Sequence, residues 1–453
     1  MVFPVEIISC ILRHATFVPE ALDTSPSIFF EDRDAVIELV CASMKTKASL
    51  SLVSKAFHDV MENYLYEIVM IFRFDYVPIL LQRLRTTIPG FRNPRGHKCR
   101  RLDFYLGIGK IPYADNAWYE GGHTLWGLIS ACPRLEILMA RVVRSVYGPD
   151  HPHLTHKALW MTIAACCAKT IRRLELYGFQ IRMDRVEMML RYLTKLEACR
   201  IIGVGPFDQS VDIYDDEEPK ERFIACGDRS VTLRDCWDYS KMSGWFDAPT
   251  VGEFKAAKEN SHWPPFATSA PYILPCLHTL RLDTIYFSRL HQFSFPRLRH
   301  LDMTFYLDDG LDLYAKNDHF PVSITHLTYA GRNVPFSQIF CLFPHLQQLS
   351  VAIEPSEIPS SEYEYIAPHP NLEIIELASW NGAYDPQSLI RDDILAAVRA
   401  RKLPSLRMIK LTPPWEHSEE LPLEECEALG VTLQVVLRAK PTFTGMNRRH
   451  HHG

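Results

Sequence analysis

The nonapeptide FPRLRHLDM, residues 295–303, carries the pattern that decides the fold. Leu298 is followed after two residues by Leu301, and after one more by Met303. The same spacing recurs at Cys99/Leu102/Phe104, Ile171/Leu174/Leu176, Leu196/Cys199/Ile201 and Leu277/Leu280/Leu282. It continues at Ile324/Leu327/Tyr329, Leu346/Leu349/Val351, Leu372/Ile375/Leu377 and Leu406/Ile409/Leu411, with a weaker copy at Leu135/Leu138/Ala140. Proline commonly precedes the first position, as at Pro133, Pro296, Pro344, Pro370 and Pro404.

The second and third apolar residues of each copy are two apart, so both point to one face of a strand. The first lies where the chain turns in from the preceding coil. One such unit cannot bury its apolar face alone, whereas stacked neighbours can, and the result is a solenoid with a parallel sheet along its concave side. Several copies start within the spacing of leucine-rich repeats, as from Leu277 to Leu298 (298 − 277 = 21). Longer spacings leave room for a helix, as in LTHKALWMTIAACCA (154–168) and RDDILAAVRAR (391–401). The residue between the second and third apolar positions then faces away from the core. Asp103, Glu175, Arg200, Arg281, Asp302, Ser350, Glu376 and Lys410 hold those places and are the candidate binding positions of the concave face, set against the plainer reading of a solvated strand face.

One gap is longer, from Leu196 to Leu277 (277 − 196 = 81), and holds the acidic run 215–218, an aromatic-rich stretch and HWPPFATSAPYILP. It reads as an insertion over about 203–275. GVTLQVVLR (430–438) reads as a closing strand, and 441–453 as a disordered tail.

The N-terminus has a different period. Pro4 suits a first helical turn, and Ile7, Ile8, Ile11 and Leu12 fall on one helical face. Pro19 and Pro26 mark a loop, and Asp34 caps a short helix through Met44. A second amphipathic helix begins near Ala48, with Leu50, Leu52, Val53, Phe57, Val60 and Met61, and leads into a strand near 68–71.

The stretches FPVEIISCIL (3–12), LVSKAF (52–57) and YLYEIVMI (64–71) resemble the F-box pattern. Together with the irregular repeats, the chain is similar to the large F-box-like families of basidiomycete fungi. The resemblance implies an α/β protein. A small helical F-box-like module would span 1–72, with an inserted loop at about 17–47, and an irregular leucine-rich-repeat solenoid with outer helices or coil would span 73–440. It implies docking onto a Skp-type adaptor, and so onto a cullin–RING ubiquitin ligase, through Phe3, Pro4, Ile7, Ile8, Ile11, Leu12, Leu52, Val53, Ser54 and Phe57. The repeats would hold an unknown client for ubiquitin transfer. The expected protein is a substrate-recognition subunit, not an enzyme, with no cofactor. The alternatives are a repeat scaffold whose F-box no longer engages an adaptor, and a hydrolase or transferase hidden in the 203–275 insertion.

Composition bounds these readings. The 453 residues are 47% apolar and 23% charged, values of an ordinary globular chain. A net charge of −5 offers no nucleic-acid footprint, and neither a secretory signal nor a membrane span is expected. The 12 cysteines lack a Cys-x-x-Cys pair and read as reduced thiols of a cytoplasmic or nuclear protein, ahead of a disulfide framework. His151, His153 and His156 have no cysteine or carboxylate at ligand spacing and read as a solvated loop; Cys166 and Cys167 read as helix core. GIGK (107–110) and Gly203-Val204-Gly205 fall short of phosphate-loop spacing.

Overall fold

The computed structural model describes residues 4–24, 33–72, 76–87, 92–106, 125–142, 163–164, 166–177, 183–202, 223–226, 229–232, 272–283, 293–304, 323–331, 336–353, 368–379, 389–412 and 421–435. The fold is α/β and the chain forms two compact units, Met1–His278 with Gln292–Phe295, and Thr279–His291 with Pro296–Gly453.

The first unit begins with α1 (Val5–Thr16), a 3-10 turn (Pro19–Leu22), α2 (Arg33–Ser51) and α3 (Lys55–Leu65). The strands β1 (Ile68–Ile71), β2 (Arg101–Leu106), β3 (Ile137–Val142), β4 (Arg173–Tyr177) and β5 (Ala198–Ile202) follow. They pair in chain order and all in parallel. Consecutive parallel strands joined in order are the connectivity of stacked repeats. In the 203–275 segment, β6 (Phe223–Cys226) and β7 (Arg229–Thr232) form an antiparallel pair. A two-residue strand β8 (Tyr272–Ile273) pairs in parallel with a later one, β10 (Phe293–Ser294). The acidic run 215–218, GIGK, Gly203-Val204-Gly205, the three histidines near 151 and the tail from 441 lie outside the described residues.

The second unit repeats the device. Its strands β9 (Thr279–Asp283), β11 (His300–Thr304), β12 (His326–Gly331), β13 (Gln348–Ile353), β14 (Ile374–Ser379), β15 (Met408–Thr412) and β16 (Thr432–Val435) pair in parallel, each with the next. The expected closing strand is β16.

The apolar triplets form the core as their spacing requires. Leu298, Leu301 and Met303 are buried, as are Leu346, Leu349 and Val351, and each such side chain contributes about 1.5–3 kcal/mol when removed from water. First positions sit in tight turns closed by backbone bonds, such as Leu135 N–H to the Cys132 carbonyl and Leu196 N–H to the Leu193 carbonyl. Those turns are also stitched to one another. The Asn371 amide donates to the Pro344 carbonyl at 3.0 Å, and the Ser405 hydroxyl to the Pro370 carbonyl at 2.5 Å. At these two junctions the proline carbonyl accepts a side-chain hydrogen bond from the following turn.

Two expectations about the N-terminal segment change. The region expected as an inserted loop contains a 3-10 turn and much of a 19-residue helix, α2, which runs through Met44 to Ser51 instead of restarting near Ala48. The break comes at Leu52–Ser54, because Ser54 caps α3 by accepting the Phe57 N–H at 3.2 Å. A side-chain cap at a residue in extended conformation ends one helix and starts another more strongly than an apolar period suggests.

Candidate functional site: the helical docking surface and the strand face

The three N-terminal helices close their own small core. Leu12, Val60 and Met61 are buried together, with Ile8, Leu50, Phe57 and Tyr64 packed against them. On α1, Ile8 and Leu12 are four apart and share the inward stripe, while Ile7 and Ile11 share the next stripe round. That second stripe is left in solvent: Ile7 is 46% exposed and Ile11 58%. Leu52 and Val53 sit in the turn between α2 and α3, 86% and 63% exposed. Pro4 and Ser54 are exposed as well, and Phe3 lies outside the described residues. Of the ten expected adaptor positions, Leu12, Ile8 and Phe57 therefore hold the module together, whereas Ile7, Ile11, Leu52 and Val53 point outward. Several large aliphatic side chains exposed on one small module mark an interaction surface more often than isolated ones do.

Behind α1 lies a charged seam. Arg13 forms an ion pair with Glu67, and Arg100 stands 3.7 Å from the same carboxylate. Lys47, on α2, is buried nearby, and burial pulls its ammonium pKa below the usual lysine value despite the attraction of Glu67. The Arg13 guanidinium also lies over two rings, Phe17 at 4.5 Å and Tyr64 at 5.2 Å.

The strand face is far more closed than the alternation implies. Asp103, Glu175, Arg200, Asp302 and Glu376 are buried; Arg281, Ser350 and Lys410 are half-buried. Around Asp103 and Glu175 the chain's own segment 18–24 closes the face. Arg101 binds Asp103 through Nε at 2.9 Å and Nη2 at 2.7 Å, and its Nη1 donates to the Ala21 carbonyl at 2.6 Å. Two strands on, Arg173 binds Glu175 at 2.6 Å and donates to the Asp23 carbonyl at 2.7 Å. The Thr24 hydroxyl reaches Glu197 at 2.8 Å. Ala21 and Val40 pack on Ile68, with Val18, Leu22, Met44 and Met70 around them. Asp103 and Glu175 therefore serve as internal partners of arginines that grip a peptide from the same chain.

In the second unit the face is closed by pairing along the rows of the sheet. Arg281 meets Asp302 at 2.8 Å across β9 and β11. Glu376 accepts from the Ser350 hydroxyl at 3.2 Å and the Thr412 hydroxyl at 2.9 Å, and Lys410 stands in register beside it. His300 and His326 meet edge to face at 4.3 Å. Opposite charges in register on one face are the cross-strand pairs that stabilise sheets.

Sequence reasoning passed over Arg101, Arg173, Lys47 and the 18–24 segment. A signal existed for two of them: Arg101-Leu-Asp103 and Arg173-Leu-Glu175 each place an arginine two residues before the outward acid, on the same face of the strand. Among the described residues, no group of three or more His, Cys, Asp or Glu side chains is placed to hold a metal ion, and no helix is long and apolar enough to cross a membrane. No family model matches the chain, and no curated protein matches it.

Proposed function

We propose that the chain is an F-box-like substrate-recognition subunit of a cullin–RING ubiquitin ligase, with a Skp-type adaptor docked on its N-terminal helices. One observation carries this reading. Ile7, Ile11, Leu52 and Val53 are exposed on a module whose own core is already filled by Leu12, Val60 and Met61. Full burial of an exposed aliphatic side chain is worth about 1.5–3 kcal/mol, so covering Leu52 recovers most of that and covering the half-exposed Ile7, Ile11 and Val53 about half of it each, before the costs of association. On this reading the protein makes and breaks no bond itself. It holds a client on the second unit, where Arg281, Ser350 and Lys410 keep partial access to solvent.

The test is binding of the full chain to a purified Skp-type adaptor by isothermal titration. Micromolar or tighter binding, abolished by Ile11→Asp with Leu52→Asp, supports the proposal. Those two positions are chosen over Phe57 because Phe57 also packs in the module core. No binding by the unmodified chain returns the reading to a repeat scaffold without an adaptor.

A further inference from the structure

Next to the exposed α1 stripe is an open groove of about 540 Å³, lined by Ser9, Cys10, Arg13, His14, Phe17, Pro19 and Tyr64. It adjoins the docking stripe directly, since Cys10 and His14 stand three residues after Ile7 and Ile11 and are their neighbours on the helix surface. Phe17, Pro19 and Tyr64 give it apolar and aromatic lining, and Arg13 and His14 give it nitrogen donors. Glu67 is a single carboxylate shared by Arg13, by Arg100 at 3.7 Å and by the nearby Lys47. Arg100 has a second acid, Glu136 at 2.7 Å. Three cations thus share two carboxylates, and of the three Arg13 lines the groove, with His14 beside it.

The Ser9 and Tyr64 hydroxyls, both in the lining, are bonded to each other at 2.8 Å. The Arg13 guanidinium lies over the Phe17 and Tyr64 rings and is anchored to Glu67. A guanidinium pre-oriented in this way spends little conformational entropy in meeting a planar carboxylate. His14, at the last turn of α1, adds a ring N–H donor beside Arg13.

We propose that this groove is a second half of the docking surface and takes an acidic segment of the bound polypeptide, one carboxylate meeting Arg13 and His14 and an adjoining apolar side chain lying on Phe17. The proposal rests on the adaptor-docking reading above and names the chemistry of the segment that follows the apolar contact. Excess positive charge at the end of an apolar stripe selects a partner whose own apolar ridge runs into acidic residues.

The experiment titrates the full chain with a Skp-type adaptor at a series of salt concentrations. It compares the unmodified protein, Ile11→Asp, and the double variant His14→Glu with Phe17→Ala, whose positions are exposed and outside the buried module core. The expected result is a rise of about tenfold in Kd for the double variant, with a shallower dependence of log Kd on log salt. If Ile11→Asp abolishes binding while the double variant keeps its Kd within twofold and an unchanged salt slope, the groove proposal is overturned and the docking reading stands. If the unmodified chain does not bind, both fall together.

Discussion

Arg173 and Asp23 lie 150 residues apart in the chain, and the guanidinium of one donates to the backbone carbonyl of the other at 2.7 Å. Arg101 does the same for Ala21 at 2.6 Å, across 80 residues. Both arginines are almost fully buried and each is also bound to a carboxylate on its own strand. The grip is on main-chain oxygens, so it reads the path of the segment rather than its side chains. It ties the helical module to the strand ladder of the first unit. Replacing Arg101 by Met keeps an unbranched apolar stem but strands Asp103, which is 0% exposed, without its cation. The expected loss is about 3–5 kcal/mol in denaturant unfolding. The double variant Arg101→Met/Asp103→Leu removes both charges and is expected to recover most of that loss. A double variant as unstable as the single would show that the Ala21 carbonyl, rather than the stranded acid, dominates.

The two stripes of α1 differ in what they support. Leu12→Asp places a charge in the cluster with Val60 and Met61 and is expected to unfold the module, seen as lost helix signal in circular dichroism. Ile7→Asp changes a side chain that is 46% exposed and is expected to shift stability by no more than about 0.5 kcal/mol. Equal damage from the two would mean that Ile7 is covered within the isolated protein.

The strand ladder was legible because its signal is local. Leu298, Leu301 and Met303 announce their burial through spacing alone, and every copy of the triplet lands on a strand or the turn before it. The closure of the strand face was not legible, because what covers Asp103 is a carbonyl-bearing segment some 80 residues earlier, joined by bonds that any backbone could supply. Lys47 was missed for a related reason: lysine reads as a surface residue, and its burial depends on Glu67 and α1 meeting at one place. On the docking surface, the helical period separated α1 from its surroundings. It could not tell that Leu52 and Val53 fall in a turn, since the Ser54 cap competes with an unbroken amphipathic pattern.

Gly96 shows a constraint that composition hides. It lies in the short 3-10 turn Arg95–Lys98, and a Cβ added there would stand 1.8 Å from the backbone oxygen of Ala131. The obstacle is main chain, at the end of the helix Leu125–Ser130 in the next repeat, so no rotamer change relieves it. Gly96→Ala is expected to push these two repeats apart and cost at least about 1–3 kcal/mol in unfolding free energy. A variant as stable as the parent would mean that the two turns approach less closely than this.

Asp393 supplies a pH-dependent test in the second unit. It lies in the helical turn Leu389–Ile394, whose neighbours Leu389, Ile390 and Ile394 are buried. Burial, helped by the adjacent Asp392, raises its carboxyl from 3.8 to about 6. The folded state therefore holds this proton to a higher pH than the unfolded chain does. The resulting stabilisation is fully present below the unfolded value of 3.8 and is lost as pH rises through about 6. Asn at this position cannot ionise and keeps nearly the same shape. Asp393→Asn is thus expected to match the parent near pH 4 and to exceed it above pH 6.5. Because the carboxyl is only partly buried, the gain is discounted to on the order of 1 kcal/mol. Denaturant midpoints of parent and variant, measured side by side from pH 4 to pH 8, check this. A gap of constant size across that range would assign the effect to packing or hydrogen bonding rather than to the charge on Asp393.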